Sequence, residues 1–447
     1  MTRPWVVLWA LVLLVTINAL VFARINADRI VPGTDSSQYD LLARQLAADR
    51  GLTLEAQPPF LPTLFREPGY PLLVATVYRL TEANIEVVVV LQAVLLGLTA
   101  GLTALVGWRL FGILAGLLGA ALFGLSSESA HYAHWLLTEI PFTFLLMLVL
   151  VLALRAQDTG RLVDFVACGV GLGLATMLRV IALVLVVPIA IGLLFGAPQR
   201  HRQLAKIAAL CVAFALVLGP WLARNLDAFG TPAISSRSGV NLIRRAPRAA
   251  EPLSAYPAWI VASIWIATNP ISQLVYPIGR FQWGPSYEDN LIWDFHVNEQ
   301  VRYNDRYAPV CQPRPDPDAC YAEIGYSFVR AYPVAYAVQS VFALVMLLFA
   351  PLPGPQALIH NGTVWLGLLG VVVWAIRRRL GAAHALVLLV LGGYIGASVL
   401  IDTQVRYVLP VLPIFAVFGG AIVAEVLTPL VSMNWRNQSS SMSSAQM

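Results

Sequence analysis

The sequence predicts an all-α polytopic integral membrane protein with about 10–11 transmembrane helices and a long first outer loop that carries surface helices. Three observations predict it. Only 12% of the 447 residues are charged, 58% are hydrophobic, and the mean hydropathy is +0.72. A soluble chain needs roughly 25% charged residues to cover its surface, so here lipid covers it instead. Apolar runs of membrane length recur along the whole chain, and only helices and closed barrels satisfy their backbone in lipid. Finally, short arginine clusters fall between the runs, as they do in cytoplasmic loops.

The first run, PWVVLWALVLLVTINALVFA, gives a helix over 4–23. It lacks a small-residue cleavage site and is expected to be retained, unlike a leader peptide. Further spans are expected near 86–107, 112–128, 139–155, 162–178, 180–196, 204–221, 361–376, 383–400 and 408–427. Arg3, Arg109, Arg155 with Arg161, RHRQLAK at 200–206 and RRR at 377–379 mark the cytoplasmic side. The polar segments 24–85 and 222–334 then face outside. If 335–350 crossed fully, the RRR cluster would fall outside. Residues 335–360 are therefore read as an interfacial or re-entrant element turning at PLPGP, although a crossing within 255–280 would also repair the parity. Domains follow as a membrane core over 1–221 containing the outer loop 24–85, an outer region over 222–360, C-terminal helices over 361–427, and a serine-rich tail over 428–447 expected to be disordered.

The net charge of +5 is almost all arginine, with Lys206 the only lysine. In a membrane chain this reflects loops and lipid headgroups, and no nucleic-acid-binding pattern is present. Arginine also binds phosphate bidentately, where lysine acts as a point charge. Cys168 and Cys211 sit in apolar runs, while Cys311 and Cys320 flank the polar loop CQPRPDPDAC. Two readings of that pair stand, a disulfide in an oxidising compartment or two free thiols. GVGLG at 169–173 lies inside an apolar run and reads as close helix packing, not a nucleotide loop. With no phosphate-binding loop or dinucleotide fingerprint, a cytosolic nucleotide-sugar donor is disfavoured.

After the first span comes GTDSSQYDLLARQLAADRG. Tyr39, Leu42, Ala43, Leu46 and Ala47 share one helical face, which suits a helix lying on the membrane surface. Asp40 and Arg44 pair one turn apart on the opposite face. Asp35, with Gln38 three residues on, fits a capping box, and that alone accounts for an acid at this place. Then FREPGYPLLVATVYRL sets Arg66 and Glu67 in a stiff Pro–Gly turn before an apolar helix. Glu139, in LLTEIPF, fits a first-turn acid behind an N-capping Thr138. In SSESAHYAHWLLTE, the spacing of Glu128, His131 and His134 lacks the pattern of a metal site. Trp259, Trp283, Tyr287 and Trp293 fit interfacial anchors, or faces on which a sugar stacks.

The series continues with LLTEIPFTFLL at 136–146, GLGLATMLRVIAL at 171–183, GPWLARN at 219–225 and RYVLPVLP at 406–413. In order and spacing, over roughly residues 5 to 425, it resembles the GT-C glycosyltransferases, in the bacterial branch near the protein O-mannosyltransferases and the lipid A aminoarabinose transferase. That resemblance implies a membrane hexosyl- or pentosyltransferase, inverting the sugar, that takes a polyprenyl-phosphate-linked donor at the outer face of the cytoplasmic membrane. The acceptor (protein, lipid or glycan) is left open. It implies that Asp35 is the catalytic base or the partner of a metal. Many members carry an acidic pair here where this chain has Asp35–Ser36, so no metal ligand set is assigned and a divalent cation is left open. The substrate-binding candidates are Tyr39, Arg66, Glu67, Glu139, Arg179, Arg224 and Arg406, the four arginines as holders of the departing phosphate. The rival class is a transporter or flippase of lipid-linked sugars, which would place its charges in broken helices near the bilayer midplane.

Overall fold

The computed structural model describes residues 4–27, 33–195, 200–250, 299–314, 316–349, 355–401 and 405–444, and every regular element among them is helical. The first span is α1 (Pro4–Ile25), followed by the outer-loop helices α2 (Gly33–Ala47) and α3 (Gly69–Leu80). Next come α4 (Ile85–Phe111), α5 (Ile113–Gly124), α6 (Ser127–His134), α7 (Glu139–Thr159) and α8 (Leu162–Leu178). A 3-10 turn (Val180–Leu185) leads into α9 (Val186–Leu194), then α10 (Arg200–Phe229) and the short α11 (Ser238–Ile243). The remainder comprises α12 (Glu299–Cys311), α13 (Pro317–Ala331), α14 (Pro333–Leu348), α15 (Pro355–Ile376) and α16 (Ala382–Ile401). A 3-10 turn (Val405–Val411) then opens α17 (Leu412–Ser444).

Local signals set the boundaries. The Asn84 side chain accepts from the Glu86 N–H to start α4, which stops at Gly112, where φ is 97°. Its 27 residues span about 40 Å. α7 ends at the left-handed Gly160. Among the described residues, seven helices are long and apolar enough to cross a membrane, and two bent pairs raise this to nine. The shorter apolar segments Leu162–Leu178 and Val180–Leu194 supply the rest of the expected set.

α4 is the central column, packed by α1, α5, α7 and α17. α8 and α10 form a layer beyond α7, α15 backs α17, and α16 lies on α9. The core is large and aromatic, with Tyr70, Phe123, Phe142, Tyr394, Phe415 and Phe418 fully buried. α1 turns Trp9 (61% exposed) and Leu13 (60%) outward, apolar surface that only lipid tails would cover. The packing role expected for GVGLG holds, since a Cβ on Gly169 would sit 2.2 Å from the Leu210 carbonyl of α10.

Some expectations change. The apolar stripe of α2 does not face lipid. Tyr39, Leu42 and Ala43 are buried, and α2 packs on α3, where Tyr39 meets Tyr70 edge to face at 4.9 Å. Protein in the same outer layer is the nearer apolar surface. Cys311 and Cys320 form a disulfide between α12 and α13. α13 and α14 meet at a bend of 105°, just before the segment 335–360 expected to be interfacial or re-entrant. α17 runs to Ser444 and so takes in most of the serine-rich segment 428–447. Residues 255–280, Trp259, Trp283, Tyr287, Trp293 and positions 351–354 of the PLPGP turn lie outside the described residues.

Gly69 ties the FREPG turn to α8, because a Cβ there would meet the Met177 carbonyl at 2.6 Å. Gly69→Ala is therefore expected to cost about 1–3 kcal/mol through overpacking. A lowered melting temperature of the detergent-purified protein would register it, and an unchanged melt would refute this account of the turn.

Candidate functional site

Five segments far apart in the chain end at one place. Asp35 stands in the first turn of α2, Arg66 and Glu67 in the turn before α3, and Glu139 at the first residue of α7. Arg179 is the C-cap of α8, and Arg406 lies in the 3-10 turn that opens α17. Helix ends leave backbone donors and acceptors unpaired, so polar side chains find partners there that they lack in mid-helix.

Asp35 is bracketed by two guanidinium groups. Arg66 donates to its Oδ1, and Arg406 donates to its Oδ2 at 2.6 Å. Arg66 is only 5% exposed, also donates from Nε to Gln38 Oε1 at 3.0 Å, and lies 4.9 Å over the Tyr39 ring. Arg406 reaches Glu139 at 3.6 Å, and Arg179 reaches the same carboxylate oxygen at 3.1 Å. Glu139 is 1% exposed, and its second oxygen has no hydrogen-bond partner. Arg179 lies 4.6 Å over the Tyr407 ring. A buried carboxylate in apolar surroundings is tolerated only beside compensating cations, which these arginines supply.

Capping therefore does not account for either acid. The Asp35 oxygens go to arginines, Gln38 supports Arg66, and Thr138 makes no side-chain cap bond to α7. Nor do Arg66 and Glu67 pair with each other, since Glu67 accepts from the Ser235 hydroxyl at 3.0 Å. Arg224 is not brought to the cluster. It bonds to Asn225 Oδ1 at 2.7 Å and stacks near Trp221 and Phe229. Of the candidates, Asp35, Tyr39, Arg66, Glu139, Arg179 and Arg406 converge, with Glu67 on the adjoining turn.

Motif reading misses several neighbours. Arg237 sits 4.9 Å over the Phe65 ring and makes no ion pair among the described residues; burial first, then the like charge of Arg66, pushes its guanidinium pKa down. The Ser236 N–H donates to the Leu64 carbonyl at 2.8 Å, which draws this strand of chain over the FREPG turn. Gln92, fully buried in α4, accepts from the Tyr70 hydroxyl at 2.8 Å and donates to the Ala133 and Trp135 carbonyls at 2.9 and 2.8 Å. It thereby joins α3, α4 and the segment that presents Glu139. Glu128 pairs with His360 of α15, both buried, while His134 bonds to the Asn26 carbonyl at 2.8 Å. Nothing in the local sequence around Arg237, Gln92 or His360 signals these partners.

A divalent cation does not fit the donor set at Asp35. Both of its oxygens are taken by guanidinium groups, Ser36 stands where a second acid would serve, and no cluster of three His, Cys, Asp or Glu among the described residues has metal-binding geometry. Burial pushes the Asp35 carboxyl up, but the charges of Arg406 and Arg66 outweigh it and hold it well below the usual carboxylate range. It is thus ionised at neutral pH, and while bracketed it is a weak proton acceptor.

Comparison with known proteins gives the fold a wider setting. Residues 62–223 match the family model described as dolichyl-phosphate-mannose-protein mannosyltransferase. The chain is similar to the archaeal oligosaccharyltransferase AglB from Archaeoglobus fulgidus, solved with an inhibitory peptide and a dolichol-phosphate, at 13% identity and a TM-score of 0.55. That match covers 97% of this chain but 52% of AglB, so the chain spans about half the length of that enzyme. ArnT from Cupriavidus metallidurans, solved with undecaprenyl phosphate, aligns at 15% identity and a TM-score of 0.41 over 92% of this chain and 78% of its own. No protein of curated function matches the chain.

Two outcomes test the cluster. Arg179→Ala removes the nearer cation from Glu139 and is expected to cost about 3–5 kcal/mol, with partial recovery when Glu139→Gln is added. Thermal unfolding of the single and double variants reads this directly. The second concerns pH. Because the folded Asp35 carboxyl lies below its unfolded value, the bracket's stability is fully present above the ordinary carboxylate range and is lost progressively as pH falls from that range through the depressed value. In Arg406→Gln the folded carboxyl lies closer to its unfolded value, so melting temperature should fall less steeply on acidification below the ordinary carboxylate range than in the wild type. Coincident pH profiles would sink this reading.

Proposed function

We propose that this chain is a GT-C-type membrane glycosyltransferase that moves a sugar from a polyprenyl-phosphate carrier to an acceptor hydroxyl. The observation that carries the reading is the bracketed Asp35, a carboxylate set among Arg66, Arg406 and Arg179 where several helices end. Glycosyl transfer from a lipid phosphate needs one group to take a proton and others to receive an anion, and both kinds stand here. The matched family description and the dolichol-phosphate in AglB support a polyprenyl-phosphate donor.

The acceptor oxygen attacks the anomeric carbon from the face opposite the phosphate, and its proton passes to Asp35. The bond between the anomeric carbon and the phosphate oxygen breaks, its electron pair leaves with the phosphate, and polyprenyl phosphate is released. A single displacement of this kind inverts the sugar and needs no covalent enzyme intermediate. Arg66 and Arg406 receive the phosphate charge bidentately, with Arg237 as a further cation at the same turn. Arg179 works one step back, neutralising Glu139 so that it does not repel the phosphate.

Charge placement supports an outer-facing site on the cytoplasmic membrane. Glu139 begins α7, whereas Asp158 and Arg155 lie at its far end, paired with Arg109 in the last turn of α4 and Asp164 in the first turn of α8. Arg377, just past the end of α15, pairs with Glu425 near the end of the apolar span Arg406–Thr428, away from Arg406. The arginine-rich ends mark the cytoplasm, so the site lies opposite. The Cys311–Cys320 disulfide suits the same oxidising side. A cluster at helix ends also favours surface chemistry over the transport reading, which would place its charges near the bilayer midplane.

Asp35→Asn is expected to lower turnover by about 10²–10⁴-fold, the usual contribution of a general base, while donor binding is retained. The measurement is sugar transfer from synthetic polyprenyl-phosphate sugars by purified protein. Wild-type rates in this variant would remove Asp35 from the mechanism.

A further inference from the structure

The geometry points to Asp35 as an internal stand-in for the donor phosphate: in the empty protein its carboxylate occupies the bidentate anion site of Arg66 and Arg406, and it becomes free to act as a base only when a lipid phosphate displaces it. This rests on the function proposed above and adds an order of events to it.

Three features carry the inference. First, both Asp35 oxygens are engaged, Oδ1 by Arg66 and Oδ2 by Arg406 at 2.6 Å, so neither is free to take an acceptor's proton. A carboxylate spanning two guanidinium forks makes the same charge-assisted contacts as two oxygens of a phosphate. Secondly, the arginines are held without Asp35. Arg66 is fixed by Gln38 at 3.0 Å and by the Tyr39 ring at 4.9 Å, and Arg406 is fixed by Glu139 at 3.6 Å and the Tyr407 ring at 5.7 Å. Loss of the carboxylate therefore leaves an intact cationic site. Thirdly, the Asp35 side chain is 21% exposed while that of Arg66 is 6% exposed, and Arg406, at 23%, has Glu139 and Tyr407 beside it, so the acid has room to leave both arginines in place. Asp35 is in the first turn of α2, where only one turn of helix need adjust.

The exchange conserves charge pairing. The phosphate takes the two guanidinium groups, and the carboxylate moves to the acceptor hydroxyl with its basicity restored. Donor binding then precedes acceptor activation. Until the phosphate arrives, the two arginines hold the base inert.

The test is equilibrium binding of undecaprenyl phosphate, without sugar, to the full chain in nanodiscs by isothermal titration calorimetry. Removing the internal competitor predicts that Asp35→Asn binds the lipid phosphate about tenfold tighter than wild type while losing transfer. In Asp35→Asn combined with Arg406→Gln the gain should vanish, since Arg406 is one of the two cations the phosphate would take over. Equal or weaker binding by Asp35→Asn overturns the inference. If wild type itself does not bind undecaprenyl phosphate, it is the donor assignment that fails. Should the variant not fold, wild-type infrared difference spectra decide. A shift of a carboxylate band on adding undecaprenyl phosphate supports displacement, and an unchanged band overturns it.

Discussion

The organisation of the site depends on one requirement, that acids buried in a lipid-covered protein have cations in contact. Glu139 is 1% exposed and Arg66 5% exposed, and neither charge is tolerable alone in such surroundings. Each is met by opposite charge from another segment, so the ion network is also what brings α2, the turn before α3, α7, α8 and α17 to one point. Asp35 lies 31 residues from Arg66 and 371 from Arg406 along the chain. The cluster closes the two ends of the sequence on each other.

Neutral hydrogen bonding then holds the charged residues at fixed distances. Gln92 uses its carbonyl for Tyr70 and its amide for the Ala133 and Trp135 carbonyls, at the point where α6 gives way to α7. Tyr70 in turn packs on Tyr39, the ring beneath Arg66. An aromatic stack and a single glutamine so connect the membrane column α4 to the outer-loop acid. Gly69 lets the FREPG turn touch α8 beside Arg179, and Ser235 holds Glu67 from the chain after α10. Preorganisation of this kind is what electrostatic catalysis requires, since dipoles set beforehand need not reorganise when charge develops.

The same bracket that builds the site opposes its proposed chemistry. Two arginines hold Asp35 as an anion at neutral pH and make it a poor base, so in the proposed mechanism competence comes with a change of partner. A membrane setting sharpens this, because low surrounding dielectric strengthens each contact and penalises any unpaired charge. A phosphate is the natural exchange partner, as it offers the same paired oxygens and more charge.

Span positions were legible in the sequence because membrane crossing is a local property of about 20 apolar residues, and each run announces itself without reference to the others. The motif order likewise singled out Asp35, Arg66, Glu139, Arg179 and Arg406. What each does with its side chain was not local. Asp35 and Glu139 look like caps in their own segments, and only the packed chain turns them to arginines. Arg224 looks equivalent to the others but stays with Trp221 and Phe229, while Arg237, within no motif, comes to rest beside the cluster. The face of α2 was readable as apolar, but not that α3 would cover it. Partner choice depends on which helix ends share a level and on which charge lacks compensation there, and only the tertiary structure decides both.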